Sequence, residues 1–193
     1  MNVVQAWTDE SIYEGATGLC VVLVAVTLSA EADPDIIRGL LLDLVPLGAR
    51  VLHWRDDRDS GQRHALLDLV NTVGIDVRAT VAQPVVRRGQ EAARARGLRR
   101  LLDELDRLGT TEHLIESRWP ELDRRDRHVL NAARREGLRR DLEIRHIDKS
   151  ADPVLWIADA AASIIAGFYS EAARGSHVWF HQFQPRTTTI HRV

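Results

Sequence analysis

Val3-Val4-Gln5-Ala6-Trp7-Thr8-Asp9, followed by Leu19-Cys20-Val21-Val22-Leu23-Val24-Ala25-Val26-Thr27-Leu28, is the stretch on which the fold turns. The second run is rich in β-branched residues and apolar on both faces. Such a run reads as a strand covered on both sides, near the centre of a sheet. Between the two, Tyr13-Glu14-Gly15-Ala16-Thr17-Gly18 supplies turn glycines, so the pair predicts a long antiparallel hairpin. The run Leu19 to Leu28 is too short to span a bilayer as a helix. The first residues lack the basic-then-apolar order of a signal peptide, so the expected location is the cytoplasm, with no membrane partner.

Outward from the hairpin, strands alternate with helices. Asp33-Pro34 joins an N-cap to a proline at the first helical position, and Ile36, Ile37, Leu40, Leu41 and Leu44 keep helical spacing until Pro46. Arg50 to Trp54 reads as a short strand. Ser60 to Val73 reads as a helix closed by Gly74, and Ile75 to Ala82 as a strand. Arg87 to Leu108 is a long charged helix with an apolar stripe at Leu98, Leu101, Leu102, Leu105 and Leu108, ended by Gly109. His113 to Ser117 is a strand, Pro120 to Glu136 a helix, and Leu142 to Ile147 a strand. Asp152-Pro153 repeats the cap-plus-proline signature and opens a helix to about Ala173. The hairpin demands antiparallel pairing and the later alternation parallel strands with right-handed crossovers. The expected class is therefore α/β: a mixed sheet with an opening antiparallel hairpin, flanked by helices. Residues 1–174 form a single domain, and 175–193 a C-terminal tail or edge strand.

Composition narrows the class without naming a function. At 193 residues the chain can bury a core without disulfides or a structural metal. Its 45% apolar and 28% charged residues exclude a disordered chain, a collagen-like repeat and a membrane bundle. A formal charge of −2 gives no global electrostatic case for a nucleic-acid binder. Of the 26 basic residues only Lys149 is lysine, a skew that GC-rich coding would leave, so the arginines by themselves count little toward a polyanion partner. The one cysteine, Cys20, excludes an internal disulfide and a cysteine-based zinc cluster, and its apolar setting predicts a buried, inert thiol. His177 and His181 have the spacing to share a zinc if helical, but no third ligand accompanies them.

Three acids stand out from the many on solvated helix faces. Asp159 lies in Val154-Leu155-Trp156-Ile157-Ala158-Asp159-Ala160-Ala161-Ala162-Ser163-Ile164-Ile165-Ala166, a segment apolar nearly all round and therefore buried. A carboxylate there is costly unless it is paired with a base or binds a metal. Its helical neighbours Ser163 and Ala166 are small enough to let the helix approach another element closely. Asp9 closes the first strand, with Glu10 sent to the opposite face by alternation. Glu116 ends the short strand before Ser117-Arg118, where strand-end carboxylates often meet ligands. Two strand ends and a buried helix can bring three carboxylates to one point, the oxygen-rich environment that Mg²⁺ prefers. Two such ions can clamp the attacking and leaving oxygens of a phosphodiester. Salt bridges to arginine, or plain solvation near the turns, are the other readings of the same acids. His53-Trp54-Arg55-Asp56 follows a strand and can line the same crevice, His53 shuttling protons or sitting solvated.

These motifs resemble the domain-of-unknown-function family 3800. Thr8-Asp9-Glu10-Ser11 is similar to that family's opening Asp-Glu-Ser-Gly signature. Ile115-Glu116-Ser117-Arg118 with Asp123-Arg124-Arg125-Asp126 is similar to its later strand and helix. Asp148-Lys149-Ser150 through Pro153-Val154-Leu155-Trp156-Ile157-Ala158-Asp159 resembles its closing helix. Ile12 stands where the signature glycine is expected, and Trp156 where a glutamine is frequent. The resemblance spans residues 3 to 170 and implies an RNase H-like fold. It implies a metal site at Asp9, Glu116 and Asp159, with Glu10, Asp123 and Asp126 as auxiliaries, to which the place of His53 by the crevice adds a further auxiliary.

The function expected from this is a Mg²⁺- or Mn²⁺-dependent nuclease, with Arg55 and Arg118 on substrate phosphates and nucleic acid, RNA or DNA, as partner. The alternative is a catalytically inactive RNase H-like module that contacts a partner protein or nucleic acid, its acids neutralised by arginines such as Arg118, Arg124 and Arg125. In that case Trp179-Phe180-His181-Gln182-Phe183 of the C-terminal tail is a contact strip for a partner or a second copy, or else packs on its own domain.

Overall fold

The computed structural model describes residues 4–55, 60–139, 141–170 and 176–193. Thirteen elements follow one another. They are β1 (Gln5–Gly15), β2 (Gly18–Leu28), α1 (Pro34–Asp43), α2 (Ser60–Val73), β3 (Ile75–Val85), a 3₁₀ turn (Arg87–Gly89), α3 (Gln90–Arg107), β4 (Glu112–Glu116), α4 (Pro120–Arg135), β5 (Glu143–Ile147), α5 (Val154–Ser170), α6 (Ser176–Gln182) and β6 (Thr187–Arg192). The six strands form one sheet in the order β5-β4-β1-β2-β3-β6. β1, β2 and β3 are antiparallel neighbours, whereas β4 runs parallel to β1, β5 to β4, and β6 to β3. This is the expected mixed sheet with an opening antiparallel hairpin and flanking helices.

β2 is buried along almost its whole length, as its apolar run on both faces requires. Its even residues, Val22, Val24 and Val26, join a core with Trp7 of β1 and the apolar sides of α1, α2 and α5. Its odd residues, Val21, Leu23 and Ala25, join a second core under α3 and α4. The sheet is thus the middle of three layers, and strand alternation decides which helix layer each side chain meets.

Two helix starts follow the cap-plus-proline reading. Asp33 accepts the Asp35 amide at 2.9 Å. Asp152 accepts the Val154 amide at 3.1 Å and also receives the Trp7 indole N–H at 2.8 Å. Arg38 adds Nε and Nη2 bonds to the same carboxylate at 3.0 and 2.8 Å. One buried acid therefore caps α5, pins it to β1 and anchors α1. On the opposite layer α3 lies so close to β3 that a Cβ at Gly97 would stand 2.6 Å from Thr80 Oγ1.

Two expectations are corrected. β1 does not end at Asp9 but runs to Gly15, because each residue of β2 back to Gly18 pairs with it, leaving a two-residue turn at Ala16-Thr17. Arg50 to Trp54 is not a strand. Leu52 and Trp54 are both buried, and the Trp54 amide bonds a carboxylate of α5 rather than a neighbouring strand. The C-terminal segment takes the edge-strand alternative and packs on its own domain: β6 extends the sheet along β3, Phe183 is buried, and Trp179 and Phe180 pack on the domain's own core. Trp179 meets Trp54 edge to face at a centroid distance of 5.4 Å. The expected end of the α5 helix near Ala173 lies outside the described residues, as does Asp56. No helix among the described residues is long and apolar enough to cross a membrane.

Candidate active site

β1 outruns β4: the last pair between them is Thr8↔Ile115, so Asp9 and Glu116 lie just beyond the parallel ladder, side by side. Alternation that puts Trp7 toward α5 puts Asp9 there too. Across from it, Asp159 projects from the second turn of α5. The small side chain of Ser163, one turn further on, allows the close approach, and its Oγ is 3.4 Å from Ser11 Oγ on β1. The three acids converge from three separate elements, but the point they share is filled by the protein itself. The Lys149 ammonium stands 3.0 Å from Asp159 Oδ2, 3.3 Å from Asp9 Oδ2 and 3.7 Å from Glu116 Oε2.

Lys149 is buried, held on the loop before α5, and its carbonyl accepts the Trp156 indole N–H at 3.1 Å. That bond ties α5 to the loop carrying the ammonium. Asp159 Oδ2 also accepts the Trp54 amide at 2.9 Å, so the 50–55 segment closes the site from above.

The electrostatics follow from this packing. Burial raises the Asp9 pKa well above the usual carboxylate value, its hydrogen bond with Glu116 raises it further, and Lys149 only partly opposes them. Burial alone would lower the Lys149 pKa, but Asp9, Asp159 and Glu116 outweigh it and hold the ammonium above the ordinary lysine range. Three carboxylates against one ammonium leave an excess of negative charge in a low-dielectric setting.

The cluster opens into a cleft of about 350 Å³ whose walls include Ser11, His53, Arg55 and Ser163. The Arg55 guanidinium donates to Ser11 Oγ and to the Ile12 carbonyl, both at 2.7 Å, and lies 4.1 Å from the centre of the Tyr13 ring. It has no carboxylate partner among the described residues and faces solvent. His53 is half-buried on the same wall.

The remaining sequence candidates belong to a second network on the other side of the sheet. Glu10 points, as alternation requires, toward α3, where its Oε2 accepts Arg94 Nε at 2.6 Å. Arg94 also donates to Asp126, which takes further bonds from His146 at 3.1 Å and Arg118 at 3.4 Å. Asp123 accepts Ser117 Oγ at 2.8 Å and the Arg118 amide at 2.9 Å. Ligand atoms of Asp123, Asp126 and His146 lie within 4.8 Å of one another. These groups are nonetheless already engaged by arginine, serine and backbone donors. Burial works against ionisation of Asp126, yet His146, Arg94 and Arg118 hold its pKa below the usual value. The Arg118 guanidinium is shared among Glu10, Glu91 and Asp126. The structure therefore engages Asp123 and Asp126 away from the trio, ties Glu10 and Arg118 into the same network although both line a recess that also reaches Asp9 and Glu116, and leaves His53 and Arg55 beside the trio.

The residue that sequence reasoning passed over is Lys149. Its signal was present: one lysine in a chain that otherwise uses arginine at all its basic positions. Arginine's planar fork is wider than an ammonium and could not fill a point between three carboxylates in the same way. Cys20, by contrast, is as expected, fully buried with its thiol pKa pushed up by burial to about 11.

No protein-family model matches this chain, and no curated protein does. Among solved structures it is similar to a chain from "Structure of the PCNA:RNase HII complex from Archaeoglobus fulgidus", with 20% identity over 88% of this chain and 73% of that one, at a TM-score of 0.47.

Proposed function

We propose that this chain is a divalent-metal-dependent phosphodiester hydrolase, a nuclease, and a distant relative of family 3800. The observation that carries the reading is the convergence of Asp9, Glu116 and Asp159 on one point that holds a cation. The donor set fits Mg²⁺ or Mn²⁺: three hard carboxylate oxygens from three elements, with negative charge in excess of what Lys149 offsets. The oxygens now stand 3.0–3.7 Å from the ammonium, wider than the roughly 2.0–2.1 Å that Mg²⁺ demands. Asp9, Glu116 and Asp159 would hold the ion in the place the Lys149 ammonium occupies. When bound, the ion supplies charge stabilisation to a phosphodiester undergoing displacement.

The chain's own groups do the rest. Arg55, anchored by Ser11 and the Ile12 carbonyl, offers its remaining N–H groups to a phosphate at the cleft wall. His53 is positioned on that wall to move a proton, and Trp54 fixes Asp159 through its amide. The choice between RNA and DNA rests on contacts to the ribose that lie with the substrate.

The position of Lys149 also favours a second reading, in which the ammonium is a permanent counter-ion and the domain binds without cleaving. Calorimetric titration with Mg²⁺ and Mn²⁺, on the wild type and on Asp159→Asn, separates the two. Binding by the wild type that is lost in the folded variant, together with cleavage of RNA, DNA or hybrid oligonucleotides, supports the hydrolase. Absence of metal binding up to millimolar concentration, with nucleic acid present, moves the assignment to the binding module.

A further inference from the structure

Trp54 stands in the chain between the two side chains that line the acid cleft from the 50–55 segment, His53 and Arg55. Its own side chain is buried in the core. Its backbone is held on both sides. The amide donates to Asp159 Oδ2 at 2.9 Å, and the carbonyl accepts Arg63 Nη2 at 2.8 Å. The same guanidinium lies 5.3 Å from the centre of the Trp54 ring and 5.8 Å from that of Trp179, within reach of a cation–π attraction. Trp179 of α6 meets Trp54 edge to face, and the His64 ring of α2 lies 4.9 Å from Trp179. The end of α6 is tied to α2 as well. Asn71 Nδ2 donates to the Gln182 carbonyl at 2.9 Å, and its Oδ1 accepts the Gln184 amide at 2.8 Å. Helices α2 and α6 therefore reach Trp54 as one brace.

Helix formation does not account for this arginine. Arg63 lies in the first turn of α2, where the helix dipole disfavours a cation. It is half-buried, has no carboxylate partner among the described residues, and its Nε is buried without a hydrogen-bond partner in the protein. What the guanidinium gains is the Trp54 carbonyl and two indole rings. The consequence falls on the two peptide planes that flank Trp54. The first joins it to His53 and is fixed by Asp159; the second joins it to Arg55 and is fixed by Arg63. Asp159 Oδ2, the oxygen that takes the Trp54 amide, is also the one 3.0 Å from the Lys149 ammonium, so the same bond orients it toward the point that the three acids share.

We propose that Arg63 and Trp179 are positioning residues of the acid site. They hold Trp54 so that its N–H orients Asp159 Oδ2 and its carbonyl side sets Arg55 at the cleft wall, which makes the C-terminal segment part of the site's frame. The ion that this geometry serves rests on the hydrolase reading; the brace itself rests on the bonds around Trp54. Neither residue lines the cleft, so both act through Trp54 and their effects do not add.

The test follows the Trp54 amide by hydrogen exchange in EDTA and, separately, the binding of Mn²⁺ alone by calorimetry. Arg63→Met keeps an unbranched apolar side chain beside the rings and removes the guanidinium. It is expected to speed exchange at Trp54 about tenfold or more, while the amides of β2 keep their wild-type rates. Its Mn²⁺ affinity is expected to fall about tenfold, the scale for partners that orient a metal ligand. Trp179→Ala is expected to move both readings the same way, and Trp179→Phe, which keeps an aromatic edge against Trp54, to restore them. The double variant Arg63→Met/Trp179→Ala is expected to be no worse than the more affected single one. Wild-type exchange at Trp54 in Arg63→Met overturns the brace. So does equal acceleration at Trp54 and across β2, the mark of a general loss of stability. Unchanged Mn²⁺ affinity beside a freed Trp54 amide overturns the positioning role. A wild type that binds no Mn²⁺ while its Trp54 exchange still depends on Arg63 removes the hydrolase reading alone and leaves the brace as the frame of a binding cleft.

Discussion

Replacing Lys149 by methionine removes the cation and keeps most of the side-chain volume. In the wild type the ammonium stands 3.0–3.7 Å from three carboxylates. Withdrawing one partner from a buried ionic group strands the rest, at about 3–5 kcal/mol. For a chain of this length each kcal/mol moves the melting temperature by about 2–4 °C, so the metal-free variant should melt about 6–20 °C below the wild type. The same change removes the competitor for the site. Mg²⁺ or Mn²⁺ should therefore bind Lys149→Met more tightly than the wild type, and at a hundredfold excess over Kd should restore about 2.7 kcal/mol. The assay is thermal denaturation in EDTA and across a Mg²⁺ series, with calorimetry for the affinity and Asp159→Asn as the control that removes a ligand. Two results would refute the reasoning. A metal-free melting temperature within about 2 °C of wild type would mean that the ammonium does not hold the acids together. Weaker metal binding in Lys149→Met would mean that the ammonium supports the ion instead of competing with it.

Three further outcomes follow from the packing. His113 is fully buried and burial lowers its pKa from 6.5 to about 3, so the folded state excludes a proton that the unfolded chain binds. Its contribution is intact above pH 6.5 and is lost as pH falls toward 3; between pH 7.5 and 5 it amounts to about 2 kcal/mol, measurable by urea unfolding and absent in His113→Gln. Asp152→Ala removes the cap of α5 and the partner of Trp7 and Arg38, and should cost about 2–4 kcal/mol in the same assay. Hydrogen bonds and the Arg38 charge depress the Asp152 pKa against burial, so this stability is present above the unfolded carboxylate value and declines as pH falls through the folded one. Gly97→Ala should cost about 1–3 kcal/mol through its clash with Thr80 Oγ1, and Thr80→Ala in the same chain should recover most of the loss. A Gly97→Ala variant as stable as the wild type would show that α3 can lift off β3 freely.

Much of the framework was legible in local patterns. The opening strand, the turn glycines and the unbroken apolar run of β2 specify a central hairpin, and Asp33-Pro34 and Asp152-Pro153 mark two helix starts within a residue or two. Segment 50–54 reads as a strand because Val51, Leu52 and Trp54 look like strand residues, whereas Leu52 and Trp54 are buried in the core and the Trp54 amide bonds Asp159. Among the acids, alternation was enough to send Asp9 and Glu10 to opposite faces. It could not say that Glu10 would join Asp126 through Arg94, since that pairing spans α3 and α4 and depends on how the two helices lie across the sheet.

By itself the sequence determined the hairpin, the helix starts, the burial of α5 and the presence of a carboxylate within it, because each is a matter of spacing, capping and hydrophobic period over a few turns. Only the tertiary structure decided where the charges meet. Lys149 and Asp9 are 140 residues apart in the chain and 3.3 Å apart in space. Nothing in a local pattern encodes that distance, which is set by the parallel placement of β4 beside β1, the packing of α5 across β1 and β2, and the Trp156 bond that fixes the loop carrying the ammonium.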